Sequence, residues 1–205
     1  MRGWRDVVTV RLVYHGHSCF SVEGAAKIIW VDPFLTDNPQ ADVRPEDIRE
    51  ADYILVSHGH GDHLGDAIAI GQRTKATIIS NHEIATYCQE KGVEAHGLHI
   101  GGGYQFSFGR VKMTIAHHGS SFPDRAYAGN PGGFLFDVEN QTIYFAGDTA
   151  LFYDIKLLRE EKPLDVALPS YPSATNTPWD RTTLCGRLSS WHRGWSYPCI
   201  TIRLR

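Results

Sequence analysis

The sequence predicts an α/β fold of two packed β-sheets flanked by helices, and three observations carry that reading. Two successive halves of the chain each run through several strands before a helix and a further strand. Short apolar runs end in polar residues that can bind metals, as Tyr53-Ile54-Leu55-Val56 does before Ser57-His58-Gly59-His60-Gly61-Asp62-His63. At 205 residues the chain is long enough for one substantial core.

Each element has a local reason. Apolar residues over 7–14 and 19–22 flank His15-Gly16-His17-Ser18, which predicts two strands joined at a turn. A third strand over 27–31 ends in Asp32-Pro33-Phe34. Asp32 is then either a turn residue or a partner standing behind metal ligands. His15 and His17 sit at a similar place, and for them both hydrogen bonding and ligation stay open. A polar loop over 36–43 leads to a short helix over 44–48 with Pro45 in its first turn. The strand over 53–56 and its His-rich loop follow. Asp66 suits the N-cap of a helix over 67–73, and capping is its expected role. A strand over 77–80 precedes a helix capped by Asn81 and stopped by Gly92.

The second half reads the same way. Gly101-Gly102-Gly103 turns into a strand over 104–108, and Gly109 turns again into a strand over 111–116 that ends in His117-His118-Gly119-Ser120-Ser121. A polar loop to Asn130 is a candidate pocket wall. A hairpin over 133–138 and 142–146 ends in Gly147-Asp148-Thr149. A helix over 153–161 and a strand over 164–168 complete this half.

His58-Gly59-His60-Gly61-Asp62-His63 is the chemical centre. His58 and His60 are two apart, a spacing that puts both rings on one face of an extended chain. Gly59 and Gly61 lack a Cβ and let the backbone fold under a metal. Asp62 and His63 are adjacent, point apart, and suit a second ion. Three His and one Asp packed this closely after a strand are the signature of a metal site.

Composition limits the alternatives. The formal charge is −3, and no Lys/Arg cluster provides a footprint for nucleic acid. The four Cys, at 19, 88, 185 and 199, lack metal-finger spacing and read as reduced thiols of a cytoplasmic protein. No segment approaches the roughly 20 apolar residues that span a bilayer, so no membrane partner is expected.

The His-x-His-x-Asp-His run, the later His at a strand end and Gly147-Asp148-Thr149 together resemble the metallo-β-lactamase superfamily. Gly16-His17-Ser18-Cys19-Phe20, Asn38-Pro39 and Tyr144-Phe145-Ala146-Gly147-Asp148-Thr149 are similar to its small metal-dependent hydrolases near the ascorbate-phosphate lactonase branch. The resemblance implies a four-layer αββα sandwich with a dinuclear site at one sheet edge. It assigns His58, His60 and one of His117/His118, with His118 preferred, to the first ion. Asp62 and His63 go to the second, and Asp148 bridges the two. The ions would be Zn²⁺, with Mn²⁺ or Fe as alternatives. They would stand about 3.5–4 Å apart and share a hydroxide nucleophile. Asp62 and Asp148 are the expected catalytic residues. The expected reaction is hydrolysis of a small ester, lactone, amide or phosphodiester. The alternatives are a phosphodiesterase or nuclease on the same fold, or an inactive product with an incomplete second site.

The resemblance covers a domain over 1–169. It also implies a late His on the second ion, but over 170–205 the strand and helix pattern stops, and His192 stands alone between Trp191 and Arg193. Codons for Thr175-Asn176-Thr177-Pro178-Trp179-Asp180 can read Tyr-Thr-Met-Gly-Pro in a neighbouring frame. Those for Pro198-Cys199-Ile200-Thr201-Ile202-Arg203 can read Pro-Met-His-Tyr-Asn-Thr-Phe, and both strings resemble the family's C-terminal motifs. A frameshift near Ser170 accounts for this tail, so the final strand and helix are expected to be missing or disordered.

Overall fold

The computed structural model describes residues 10–168 and 201–203. Seven strands form one sheet, β1 (Arg11–Tyr14), β2 (Phe20–Gly24), β3 (Lys27–Val31), β4 (Tyr53–Leu55), β5 (Thr77–Asn81), β6 (Ala95–Leu98) and β12 (Thr201–Arg203), in the spatial order β12-β1-β2-β3-β4-β5-β6. Five form the other, β7 (Gly103–Gln105), β8 (Arg110–Ile115), β9 (Gly132–Val138), β10 (Gln141–Phe145) and β11 (Val166–Leu168), in the order β11-β10-β9-β8-β7. The helices are α1 (Gly61–Leu64), α2 (Ala67–Thr74), α3 (His82–Glu90) and α4 (Ile155–Glu161), with a 3₁₀ turn at Pro45–Asp47.

Period-two side-chain direction builds the layers. Ile29, Val31, Leu55 and Ile79 point between the sheets and pack with Met113, Phe134, Phe136 and Phe145. Their neighbours Trp30, Ile54, Val56 and Ile78 point the other way, onto Ala67 and Ile70 of α2 and Ile84 and Cys88 of α3. On the far side, Leu135 and Tyr144 meet Ile155 and Leu158 of α4. The result is the αββα order. Each fully buried Phe of the central layer contributes about 1.5–3 kcal/mol.

Of the residues over 170–205, only β12 is described. It pairs in parallel with β1, Leu12 opposite Ile202. The boundary near 169, His192 and the remaining tail lie outside the described residues. Three local readings need correction. β6 has no counterpart in the sequence pattern, because Ala95-His96-Gly97-Leu98 carries no alternation of apolar residues. The metal loop contains a helical turn, α1, which separates Asp62 from His63 by a helical step. Asp66 precedes α2 but makes no capping bond. Its carboxylate instead accepts from Leu35 N, Thr36 N and Thr36 Oγ1 at 2.7–2.9 Å, tying the loop after β3 to the metal loop.

Candidate metal centre

Five chain segments meet at one edge of the sandwich: the β1–β2 turn and the chain following β3, β4, β8 and β10. Each strand exit is fixed by the sheet behind it, so the ligands stand on rigid supports. Gly132 N donates to Ser57 O at 3.1 Å, locking the exit of β4 to the start of β9 in the opposite sheet. Gly59 is required by close packing, since a Cβ there would collide with that of Ala128. Gly61 meets nothing within 4 Å, so the tight-fold expectation holds at Gly59 and not at Gly61. Gly147 turns at φ +60, and a Cβ would strike the Gly132 carbonyl.

His58, His60 and His118 converge, each offering one ring nitrogen, with the three nitrogens within 4.8 Å of one another. His58 is fully buried. Its Nδ1 meets Ser57 Oγ at 2.9 Å, which leaves Nε2 facing His60 Nδ1 at 3.0 Å. Burial, reinforced by the neighbouring His63, His60 and His118, pushes the His58 pKa down to about 2, so the ring is neutral, the form that ligates. Burial also lowers the pKa of His118. His117 turns away to pack against Phe152, with ring centroids 4.7 Å apart, and lies outside the cluster.

Asp32 is fully buried at φ +43, a conformation uncommon outside glycine. Its Oδ1 accepts from Ser57 N at 2.7 Å, and its Oδ2 from Ser57 Oγ at 2.5 Å. The same Oδ2 faces His63 Nδ1 at 2.7 Å. These bonds occupy the carboxylate, so although Asp32 groups geometrically with His58 and His63, it acts as their anchor. Of the two roles open to Asp32, partner to a ligand is the one its contacts support. His63 then aims Nε2 inward, 3.4 Å from Asp148 Oδ2. Burial alone would lower the His63 pKa, but Asp32 and Asp148 outweigh it and raise it to about 10. His118 Nε2 lies 3.7 Å from the same Asp148 oxygen, so Asp148 stands between the two groups of His.

His17, Asp62 and His63 make a second convergent group, with candidate ligand atoms within 4.8 Å of one another. The His17 ring, 3.4 Å from Asp62, is the main cause holding the Asp62 carboxyl well below its usual range. Three buried atoms here, His17 Nδ1, His63 Nε2 and Asp148 Oδ1, have no hydrogen-bond partner. Buried polar atoms are normally paired, and an imidazole nitrogen that can release its proton beside a carboxylate oxygen fits a divalent cation. His15 is different. Asp42 and Ser21 take its two nitrogens at 2.6 and 2.8 Å and Trp30 stacks on its ring, so it is structural.

The structure thus brings His58, His60, Asp62, His63, His118 and Asp148 to one edge. Sequence reasoning missed Ser57, which links Asp32 to His58, and Ser120. Ser120 accepts from Gly59 N at 3.2 Å and donates to Ala128 O at 3.1 Å, joining the metal loop to the 120–128 loop. A Ser at a strand end is too common to single out in a sequence.

Known proteins share these features. The sequence pattern of the beta-lactamase superfamily domain matches residues 27–177. A UPF0173 metal-dependent hydrolase from Bacillus cereus (strain G9842) is 46% identical over 177 residues, 83% of this chain and 78% of the relative. One from Anoxybacillus flavithermus is 47% identical over 176 residues, with 83% and 78% covered. Among solved structures, the metallo hydrolase Igni18 from the archaeon Ignicoccus hospitalis superposes with a TM-score of 0.69 at 34% identity, covering 77% of this chain and 69% of that one.

Proposed function

Because the chain belongs to the metallo-β-lactamase superfamily, among its UPF0173 metal-dependent hydrolases, we propose that it hydrolyses a small ester, lactone, amide or phosphodiester with two divalent ions. His58, His60 and His118 would hold one ion, Asp62 and His63 the other, and Asp148 would contact both. The observation that carries this reading is the pair of convergent groups joined by Asp148, whose Oδ2 lies 3.4 Å from His63 Nε2 and 3.7 Å from His118 Nε2 while its Oδ1 is buried without a partner. The mixed imidazole and carboxylate set suits Zn²⁺ first, then Mn²⁺ or Fe.

Bound there, the ions would lower the pKa of water towards neutrality and polarise the electrophilic oxygen. The protein supplies the rest. Ser57 and Asp32 fix the rings of His58 and His63, so their inward nitrogens need not reorganise. Asp62, its side chain about 40% exposed, is kept ionised by His17 and would orient the attacking water by accepting its hydrogen bond. The net charge of −3, with no basic cluster, favours a small substrate over nucleic acid. Among the described residues no helix is long and apolar enough to cross a membrane.

The test pairs metal analysis with a panel of lactones, aryl esters, amides, phosphodiesters and single-stranded DNA. Two ions per chain with turnover of a small substrate is the expected result. Preferential cleavage of DNA, or turnover unaffected by chelators, would overturn the reading.

A further inference from the structure

We propose that His17 is a ligand of the second ion, an assignment that rests on the two-ion reading above. Its imidazole already stands in the corner where that ion would sit. Nε2 is 3.4 Å from Asp62 Oδ2, and a ring nitrogen lies within 4.8 Å of the ligand atoms of both Asp62 and His63. With His17 included, the second corner has two nitrogen donors and one carboxylate, and Asp148 stands beside it. With the bridging Asp148, the second ion would then have four protein ligands of mixed imidazole and carboxylate type, a set that suits Zn²⁺ and other first-row divalent ions.

The turn is built to deliver this ring. His17 sits at φ +53, a strained setting for a non-glycine residue of the kind that concentrates at functional sites. The surroundings enforce it. His15 N donates to Cys19 O and Cys19 N to Gly16 O, each at 2.9 Å, closing the turn. Gly16, at φ +98, packs on the backbone of Gln40, leaving no room for a side chain. Gln40 Oε1 accepts from His17 N at 3.3 Å. The ring itself is wedged edge-on between Phe34 and His63, with centroids 5.5 and 5.2 Å away. His17 Nδ1 is buried without a partner, so neither its orientation nor its strain is explained by a hydrogen bond from that atom. His15, two residues earlier, shows the contrast: its nitrogens are both occupied, by Asp42 and Ser21.

The full-length chain, stripped with chelator and reloaded with Zn²⁺, provides the test. The variant is His17→Asn, since Asn tolerates the left-handed backbone. Wild type is expected to take two ions. The variant should keep the first and bind the second at least about tenfold more weakly, no less than the loss of an outer partner costs. Unchanged affinity for both ions in the variant would overturn the His17 assignment and leave the two-ion reading standing. A wild-type chain that takes one ion or none would overturn both. Should the variant lose its fold by circular dichroism, ring ¹⁵N spectra of the wild type decide. The His17 ring signals should move with the second equivalent of Zn²⁺ and not with the first. A His17 that stays still while His63 moves would refute the assignment.

Discussion

His58 and His63 lie side by side, their ring centroids 4.1 Å apart, yet the protein prepares them in opposite ways. His58 belongs to a corner of three imidazoles in which burial and neighbouring rings strip the proton, holding its pKa near 2. His63 belongs to a corner of carboxylates, where Asp32 and Asp148 overcome the effect of burial and hold a proton to about pH 10. His58 stands ready for a cation at any ordinary pH. His63 must exchange a proton for it. On the two-ion reading the ions need not bind alike, and the second would answer to pH and to outer partners more strongly.

Removing an imidazole from the first corner has the largest effect. In His58→Ala, metal content by mass spectrometry and hydrolytic turnover should both fall by more than the roughly 10–100-fold typical of an outer partner. A full metal complement in that variant would place the first ion elsewhere. Asp32→Asn comes next, because the amide cannot give His63 its charged anchor. Chelator competition should show the second ion weakened by about 10–100-fold and the first, which Asp32 reaches only through Ser57, weakened less. Equal weakening of both ions would mean that Asp32 serves the whole site through Ser57.

A smaller effect tests the proton. The folded pKa of His63, about 10, lies above its ordinary 6.5, so its contribution to the stability of the metal-free chain is complete below pH 6.5 and lost as pH rises through 10. The melting temperatures of metal-free wild type and His63→Gln should therefore converge over that interval. A constant difference would contradict the raised pKa. The smallest effect is expected outside both corners. His117→Ala should leave metal content within about twofold, as for ordinary surface changes of up to about 0.5 kcal/mol. A lost ion in this variant would move the first corner from His118 to His117.

What could be read from the sequence follows the same division. The layers were legible because Ile54-Leu55-Val56 and Ile78-Ile79 sit within apolar runs bounded by turn residues, and the alternation that sorts them into two cores is a backbone property. His58, His60, Asp62 and His63 were legible because they are packed into six residues. Asp32 and Ser57 were not, since their roles arise from a contact across 25 residues that no local pattern encodes. His17 was visible as a motif but without a role, because only the β1–β2 turn brings it to Asp62. β6 escaped for a different reason. Its four residues gain their strand from pairing with β5 rather than from their own apolar pattern.

The most direct measurement is an anomalous difference map from a crystal of the full chain grown with Mn²⁺. Two peaks are predicted, one against His58, His60 and His118 and the other against Asp62 and His63, both in contact with Asp148. A single peak, or density away from these residues, would contradict a site made of two unlike corners.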